Sequence, residues 1–220
     1  MNKPPNFVLI GKSGCGKGTQ AELLMDKISN LYHISTGDLF RDLSGQKSDA
    51  GERVKKVIDS GGLPYDELAT ALWMNNIAYK VGKDQGIIAD GFPRRLNEAK
   101  NFESFLEFLD RQDSTFYILI DISREEAVDR LTKRRICNNC GKLIPWVDKL
   151  RDLKQCDNCG GDLATRLDDT LEAINNRLDF YDNRVAEVVK FYEDNGKLIK
   201  INGEQSIEVI HEDIIKAINL

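Results

Sequence analysis

A parallel α/β sheet with helices on both faces is the fold this sequence predicts, and three observations predict it. Short apolar runs recur at residues 7–10, 32–34, 86–89, 116–120 and 198–201. Longer segments of helical periodicity separate them, as parallel strands require when each crossover lays a helix against the sheet. A glycine-rich stretch directly after the first run opens the first helix, the strand–turn–helix arrangement that holds phosphates.

Each element can be justified in turn. The first strand, Phe7-Val8-Leu9-Ile10, leads through the glycine-rich loop into a helix over 19–31, with Ala21, Leu24 and Ile28 on one face. The second, 32–34, ends at Ser35-Thr36-Gly37-Asp38-Leu39-Phe40-Arg41. A helix over 65–79 carries Leu68, Leu72 and Ile77; the third strand, 86–89, ends at Asp90-Gly91-Phe92-Pro93-Arg94. Past the fourth strand, Ser123-x-x-Glu126 reads as a capping box before Ala127 and Leu131. Asp169-x-x-Glu172 reads as a second, before a stripe of Leu171, Ile174, Leu178, Tyr181, Val185, Val188 and Tyr192. The fifth strand and a short tail complete the chain.

The loop reads Gly11-Lys12-Ser13-Gly14-Cys15-Gly16-Lys17-Gly18-Thr19, a G-x-x-x-x-G-K pattern. Its glycines let backbone N–H groups turn around an anion, the helix N-terminus adds positive potential, and Lys17 supplies a mobile charge for the outer phosphates. A glycine-rich turn with a surface lysine is the alternative. The motifs after the second and third strands stand where open parallel sheets bind ligands, and Asp90 suits a magnesium ion held through waters.

Composition bounds the rest. The 220 residues suffice for one domain with insertions, and 41% hydrophobic with 30% charged residues is an ordinary globular balance. No apolar stretch approaches the roughly 20 residues of a membrane span, and the five residues before the first strand leave no room for a signal peptide, so the expectation is cytoplasmic. A net charge of −5 argues against nucleic acid as partner, while local arginines point to a small polyanion in one cleft.

Residues from about 135 to 168 break the rhythm. Cys137-x2-Cys140 and Cys156-x2-Cys159 stand 15 residues apart, within the spacing of four-cysteine zinc sites, and each pair is followed by glycine. Four thiolates close a tetrahedral site, so the metal would be structural. Two disulfides are the competing reading, disfavoured in a reducing compartment. The fifth cysteine, Cys15, lies inside the glycine-rich loop.

The ordered set G-x-x-G-x-G-K-G-T-Q, S-T-G-D-L-x-R, D-G-F-P-R and a four-cysteine insert resembles the adenylate kinases with a zinc-bearing lid, nearly end to end. The resemblance implies a P-loop NTPase-type sheet with a helical NMP-binding segment at 35–64, a zinc lid at 134–168, and a core of 1–34, 65–133 and 169–220. It implies phosphoryl transfer between ATP and AMP, with Mg2+ and zinc as cofactors. By resemblance ATP would meet Gly14, Cys15, Gly16, Lys17, Gly18 and Thr19, with Arg130, Arg134, Leu143, Ile144 and Gln205. AMP would meet Thr36, Arg41, Gly62, Leu63, Pro64, Gly91, Phe92, Pro93, Arg94 and Glu98. Arg166 and Arg177 would close on the phosphates; with Lys17, Arg94, Arg130 and Arg134 they would be the catalytic charges. A monomer fits an enzyme whose two arms swing.

Three positions depart from the family pattern: Ser13 for a common proline, Gly62 for a longer side chain, and Glu98 for the glutamine that reads the acceptor base. A glutamine amide both donates and accepts, whereas a carboxylate only accepts. Adenine offers one donor and one acceptor; guanine offers two donors. The acceptor is therefore AMP or, as alternatives, GMP or a pyrimidine nucleotide, with a water or Asn97 as a compensating group for AMP. A nucleotide switch whose zinc module binds a macromolecule is the non-enzymatic alternative; Lys142, Lys149, Arg151 and Lys154 are balanced there by Asp148, Asp152, Asp157 and Asp162 around one aromatic, Trp146.

Overall fold

The computed structural model describes residues 3–60, 62, 64–166 and 169–219. Five strands, β1 (Asn6–Ile10), β2 (Leu31–Ser35), β3 (Gly86–Asp90), β4 (Thr115–Asp121) and a last strand (Leu198–Asn202), form a sheet. The order is β2-β3-β1-β4 and then the last strand, with every pairing parallel.

The three inner strands β3, β1 and β4 carry continuous apolar runs because both faces are covered, whereas the last strand, at the sheet edge, exposes Lys200 and Asn202. In β1, Phe7 and Leu9 pack into one core cluster while Val8 and Ile10 pack into the other. In β4, Ile118 and Ile120 join the first cluster, Tyr117 and Leu119 the second. The period of two divides each of these strands between the faces, so no polar alternation survives in their sequence.

The helices are α1 (Lys17–Lys27), α2 (Thr36–Ser44), α3 (Asp49–Asp59), α4 (Asp66–Lys80), α5 (Leu96–Phe108), α6 (Arg124–Lys133), α7 (Leu171–Phe180), α8 (Ala186–Asp194) and α9 (Ile207–Ala217). Ser35, Ser48, Ser123, Thr170 and Ser206 cap α2, α3, α6, α7 and α9, each accepting from the amide three residues on. Helix α1 begins instead at Gly16, in the left-handed conformation (φ 100°), with no side-chain cap. Its first-turn amides are thus left for another acceptor.

Several sequence expectations shift. The first helix ends at Lys27, because Ile28 is extended and Asn30 turns the chain at φ 63°. Only half of the first capping box forms: Ser123 Oγ accepts from the Glu126 amide, but the Glu126 carboxylate turns to Arg130 and the Ser123 amide is taken by Glu204. The second box is absent. Thr170 is the cap, and Asp169 is buried under two arginines. Leu171 is 59% exposed and leaves the apolar stripe, which continues through a single π-turn (Tyr181–Val185) into α8.

The cysteine segment forms a separate antiparallel sheet of β5 (Arg135–Cys137), β6 (Leu143–Ile144) and β7 (Leu163–Thr165), with β5 central. The fifth strand of the main sheet is accordingly β8 (Leu198–Asn202). Among the described residues, no helix is long and apolar enough to cross a membrane.

Candidate active site

Register sets the site. Leu9 and Ser35 both lie level with Asp90 across the sheet, so the loops after β1, β2 and β3 leave from one edge. That edge is the carboxyl end of a parallel sheet, where ligands bind at the change of strand order. A cleft of about 350 Å³ opens there.

The glycine-rich loop forms its floor. Gly11, Gly14 and Gly16 all have φ between 85° and 150°, and a Cβ at Gly11 would sit 2.4 Å from the Ile120 carbonyl oxygen, so the close turn needs glycine. Lys17 Nζ folds back to donate to the Gly11 and Lys12 carbonyls at 2.9 and 3.1 Å. Cys15 is 1% exposed beneath the loop, so its thiol does not face the cleft.

Arginines converge from five segments. Arg41 and Arg94 line the cleft from α2 and the loop after β3, Arg130 and Arg134 from the end of α6, Arg166 from beyond β7, and Arg177 from α7. Their anchors are specific. Arg94 Nε donates to the Gly91 carbonyl at 2.5 Å and its Nη2 reaches Thr36 Oγ1 at 3.3 Å, while Thr36 donates to the same carbonyl at 2.8 Å. Arg130 donates to Glu126 at 2.6 Å and to the Gly203 carbonyl at 2.9 Å. Arg134 and Arg177 share the buried Asp169.

Against these cations and Lys17, the described cleft lining carries two carboxylates, Glu22 and Asp90. Burial would raise Asp90, yet His33, at 3.4 Å, and the Lys17 and Arg94 charges hold it below the usual carboxylate range. Asp90 therefore stays ionised next to the Lys17 side, as a water-mediated magnesium partner must.

Other expected residues fall in different places. Gly14, Gly16, Gly18, Thr19, Gly62, Pro64, Gly91, Phe92, Pro93 and Leu143 line the cleft. Thr36 and Glu98 line a smaller recess of about 20 Å³ that shares Phe40, Pro64, Gly91, Arg94 and Phe180 with the main cleft. Ile144 is fully buried and Gln205 donates to the Asn202 carbonyl and Asp213, so neither presents its side chain to the cleft. Asn97 is exposed and does not line the recess that Glu98 enters. Leu63 lies outside the described residues.

The sequence reading missed Trp146, Phe180 and Tyr181 as cleft walls. Trp146 sits under Lys133 and Arg135, at 5.7 and 5.4 Å from its ring centre. A large aromatic in a module without its own core was the available signal. Tyr181 read as part of the core stripe and opens the π-turn at the cleft edge, while Phe180, the last residue of α7, was not singled out.

In the cysteine module all four Sγ atoms lie within 4.8 Å of one another. Cys137 to Cys159 is 3.5 Å and Cys140 to Cys156 is 3.6 Å, close to the roughly 3.8 Å edge of a tetrahedron with metal–sulfur bonds near 2.3 Å. The two knuckles repeat one backbone pattern: Gly141 N to Cys137 O at 3.0 Å, and Gly160 N to Cys156 O at 2.8 Å. Both glycines have positive φ, at 73° and 71°. A Cβ on Gly161 would sit 3.1 and 3.3 Å from two of the sulfurs, so the second knuckle packs this closely on them only with glycine there. The residues fit a four-coordinate metal, and all five cysteines are unpaired by disulfides.

Comparison with known proteins agrees with this geometry. The adenylate kinase family model matches residues 9–197. An adenylate kinase of Thermosipho africanus (strain TCF52B) is 34% identical over 219 residues, covering 97% of this chain and 99% of that protein. One from Lactobacillus delbrueckii subsp. bulgaricus is 37% identical over 214 residues, 95% of this chain and 96% of that one. One from Caldanaerobacter subterraneus subsp. tengcongensis is 37% identical over 218 residues, 96% and 95% respectively. A phosphate loop, an arginine-lined cleft at the sheet's carboxyl edge and similarity over nearly the whole length converge: the chain belongs to the adenylate kinase family, enzymes of nucleoside monophosphate phosphoryl transfer.

Proposed function

We propose that the cleft transfers the terminal phosphoryl group of magnesium-bound ATP to AMP, giving two ADP. The convergence of Lys17 and six arginines on one cavity, with no cysteine, histidine or serine placed as an activated nucleophile among its described residues, carries this reading. ATP phosphates would lie in the loop at 14–19, with Lys17 on the β and γ groups and Arg130 and Arg134 beside them. AMP would enter beside Thr36, Arg41 and Arg94, its phosphate directed at the γ-phosphorus, while Arg166 and Arg177 bridge the two.

An oxygen of the acceptor phosphate forms the new bond to phosphorus as the bond to the β–γ bridging oxygen breaks, and that oxygen keeps the electron pair as part of ADP. The attacking oxygen is already anionic, so no general base is required. The arginines neutralise charge that builds between two anions. Magnesium would supply charge neutralisation at the phosphates, and Asp90 is the cleft carboxylate that would hold its waters.

Segments 35–64 and 134–168 would close over the two nucleotides and exclude water, which would otherwise intercept the phosphoryl group. Support comes from the separate sheet of the second segment and from Trp146, which it brings to the cleft. The four thiolates would hold zinc; elemental analysis should find about one equivalent per chain, and an active, metal-free protein with four free thiols rejects it.

A coupled assay with ATP and a panel of AMP, GMP, CMP and UMP tests the acceptor. Two ADP formed per ATP consumed with AMP supports the reading. GMP exceeding AMP tenfold in kcat/KM rejects it and supports the second reading, which Glu98 favours.

A further inference from the structure

The small recess beside the cleft is lined by an acid, Glu98. Glu98 is 5% exposed, and its two oxygens are each claimed by one N–H: Oε1 accepts from the Trp73 indole at 3.0 Å, and Oε2 from the Arg94 amide at 2.6 Å. Trp73 is itself fully buried, its ring stacked on Phe92 at 5.3 Å and 8°. The carboxyl group is thus fixed in orientation, and each oxygen keeps one further site for a ligand in the recess.

The charged groups around it do not pair with it directly. The Arg94 guanidinium, from the loop after β3, is spent on the Gly91 carbonyl and Thr36. Asp66, at the start of α4, adds a like charge but is bound to Arg95 at 2.5 Å. From α8, the Tyr192 hydroxyl also feels the Glu98 charge. Glu98 is therefore a buried acid held by two neutral N–H donors, with no direct counter-ion among the described residues.

Two protonation states read two different bases. The carboxylate offers acceptors only, which match an edge with two donors. The neutral acid offers one O–H donor and one acceptor, which match adenine's ring nitrogen and exocyclic amine. We propose that Glu98 reads AMP as a neutral carboxylic acid, donating its proton to the adenine ring nitrogen and accepting from the amine, with Trp73 holding it in that orientation. Adenine binding is then coupled to the uptake of one proton. Burial independently raises the Glu98 carboxyl above the usual range, against the opposing effect of the Arg94 amide and the Trp73 indole. Trp73 is a positioning residue, and its N–H also favours the ionised form.

This inference rests on AMP being the acceptor, and its test separates the two. Calorimetric titration of the full-length protein with AMP, from about pH 5.5 to about pH 8.5 in two buffers of different ionisation enthalpy, reads affinity and proton uptake together. AMP affinity should be full below the free-enzyme pKa of Glu98 and fall about tenfold per pH unit above it, with uptake approaching one proton. GMP should show the opposite trend.

Glu98→Gln, which carries a permanent donor and acceptor, should bind AMP without that pH dependence, and the comparison cancels the titration of the nucleotide phosphate. Trp73→Phe should move the midpoint upward, a change that loosened packing alone does not cause. AMP binding with the same pH profile in wild type and Glu98→Gln overturns the proton coupling. Absence of AMP binding at every pH, with GMP bound, overturns the acceptor reading and the inference with it.

Discussion

Asp169 accepts two parallel hydrogen bonds from Arg134, both at 2.8 Å, and a third from Arg177 at 2.7 Å, with its own side chain fully buried. One carboxylate thereby fixes two arginines that face the cleft, one from the end of α6 and one from α7. It also clamps the far end of the cysteine segment to its near end, since Arg134 precedes β5 and Asp169 follows β7.

Asp169→Asn preserves volume and removes the charge, leaving two guanidinium groups, each 16% exposed, without their shared partner. Unfolding free energy should fall by about 3 kcal/mol, the loss expected when one partner of a buried pair is deleted. kcat/KM should fall by roughly 10- to 100-fold, because the arginines lose their aim. The pH dependence has a defined sign. Burial would raise Asp169, but Arg134 and Arg177 hold its carboxyl below the usual range. Its stabilisation is therefore full above the unfolded-state pKa of about 4 and is lost as pH falls through the lower folded value. Urea denaturation should show the wild-type advantage over Asp169→Asn at neutral pH and a smaller one near pH 3; an advantage unchanged by acid rejects the charge-pair account.

In the cysteine module, Cys159→Ser should release the metal and unfold that module alone. Its short strands, 3, 2 and 3 residues long, cannot bury enough surface to hold without ligation. Hydrogen exchange should show the Cys156 and Gly160 amides losing protection while β1 amides keep theirs. Equal protection in both places would count against a metal-dependent module.

What was legible in the sequence, and what was not, divides along physical lines. The inner strands of the main sheet were legible because burial on both faces makes their residues apolar without interruption, as in Phe7-Val8-Leu9-Ile10. The phosphate loop and the cysteine knuckles were legible because each needs fixed spacing and positive-φ glycines. Asp169 was misread as a helix cap because an Asp three residues before a Glu carries that pattern whatever the third dimension does with it. Its true partners lie 35 and 8 residues away in sequence. Glu98 was singled out by its chemistry, but Trp73, the residue that fixes it, stands 25 positions earlier among the apolar residues of α4. Pairings between distant elements leave no local trace, which is why the fold was readable and the aim of the side chains was not.

Lys17→Met removes the lysine charge on the cleft floor while keeping much of the length of the side chain. Its Nζ donates to the carbonyls of Gly11 and Lys12, the first residues of the loop, both half-buried. The melting temperature should therefore change by only a few degrees, whereas kcat should drop on the order of 100- to 10,000-fold, as expected for loss of a transition-state charge. Steady-state kinetics beside a thermal melt decides it: a large loss of stability with little loss of kcat would make Lys17 a structural brace.

The opposite end of the sheet supplies the control. Arg111 is 5% exposed, and its guanidinium donates to Asn6 Oδ1 at 3.0 Å and to the Gln85 and Gly82 carbonyls at 2.8 and 3.2 Å. Asn6 in turn accepts from the Ile87 amide at 3.2 Å, so one arginine ties together the amino ends of β1 and β3. Arg111→Met would take the arginine donor from the half-buried Gln85 carbonyl, while Asn6 Oδ1 keeps the Ile87 amide and the Gly82 carbonyl keeps the Gln85 amide, at a cost of about 1 to 3 kcal/mol, or roughly 3–8 °C in melting temperature. Because these groups lie at the end of the strands away from the cleft, kcat per folded molecule should stay within about twofold of wild type at a temperature where both are folded, since the substitution reaches no cleft group and distant sites act independently. A parallel loss of kcat in the folded variant would show that the two ends of the sheet are coupled, and that the cleft's geometry depends on how β1 and β3 are tied at their amino ends.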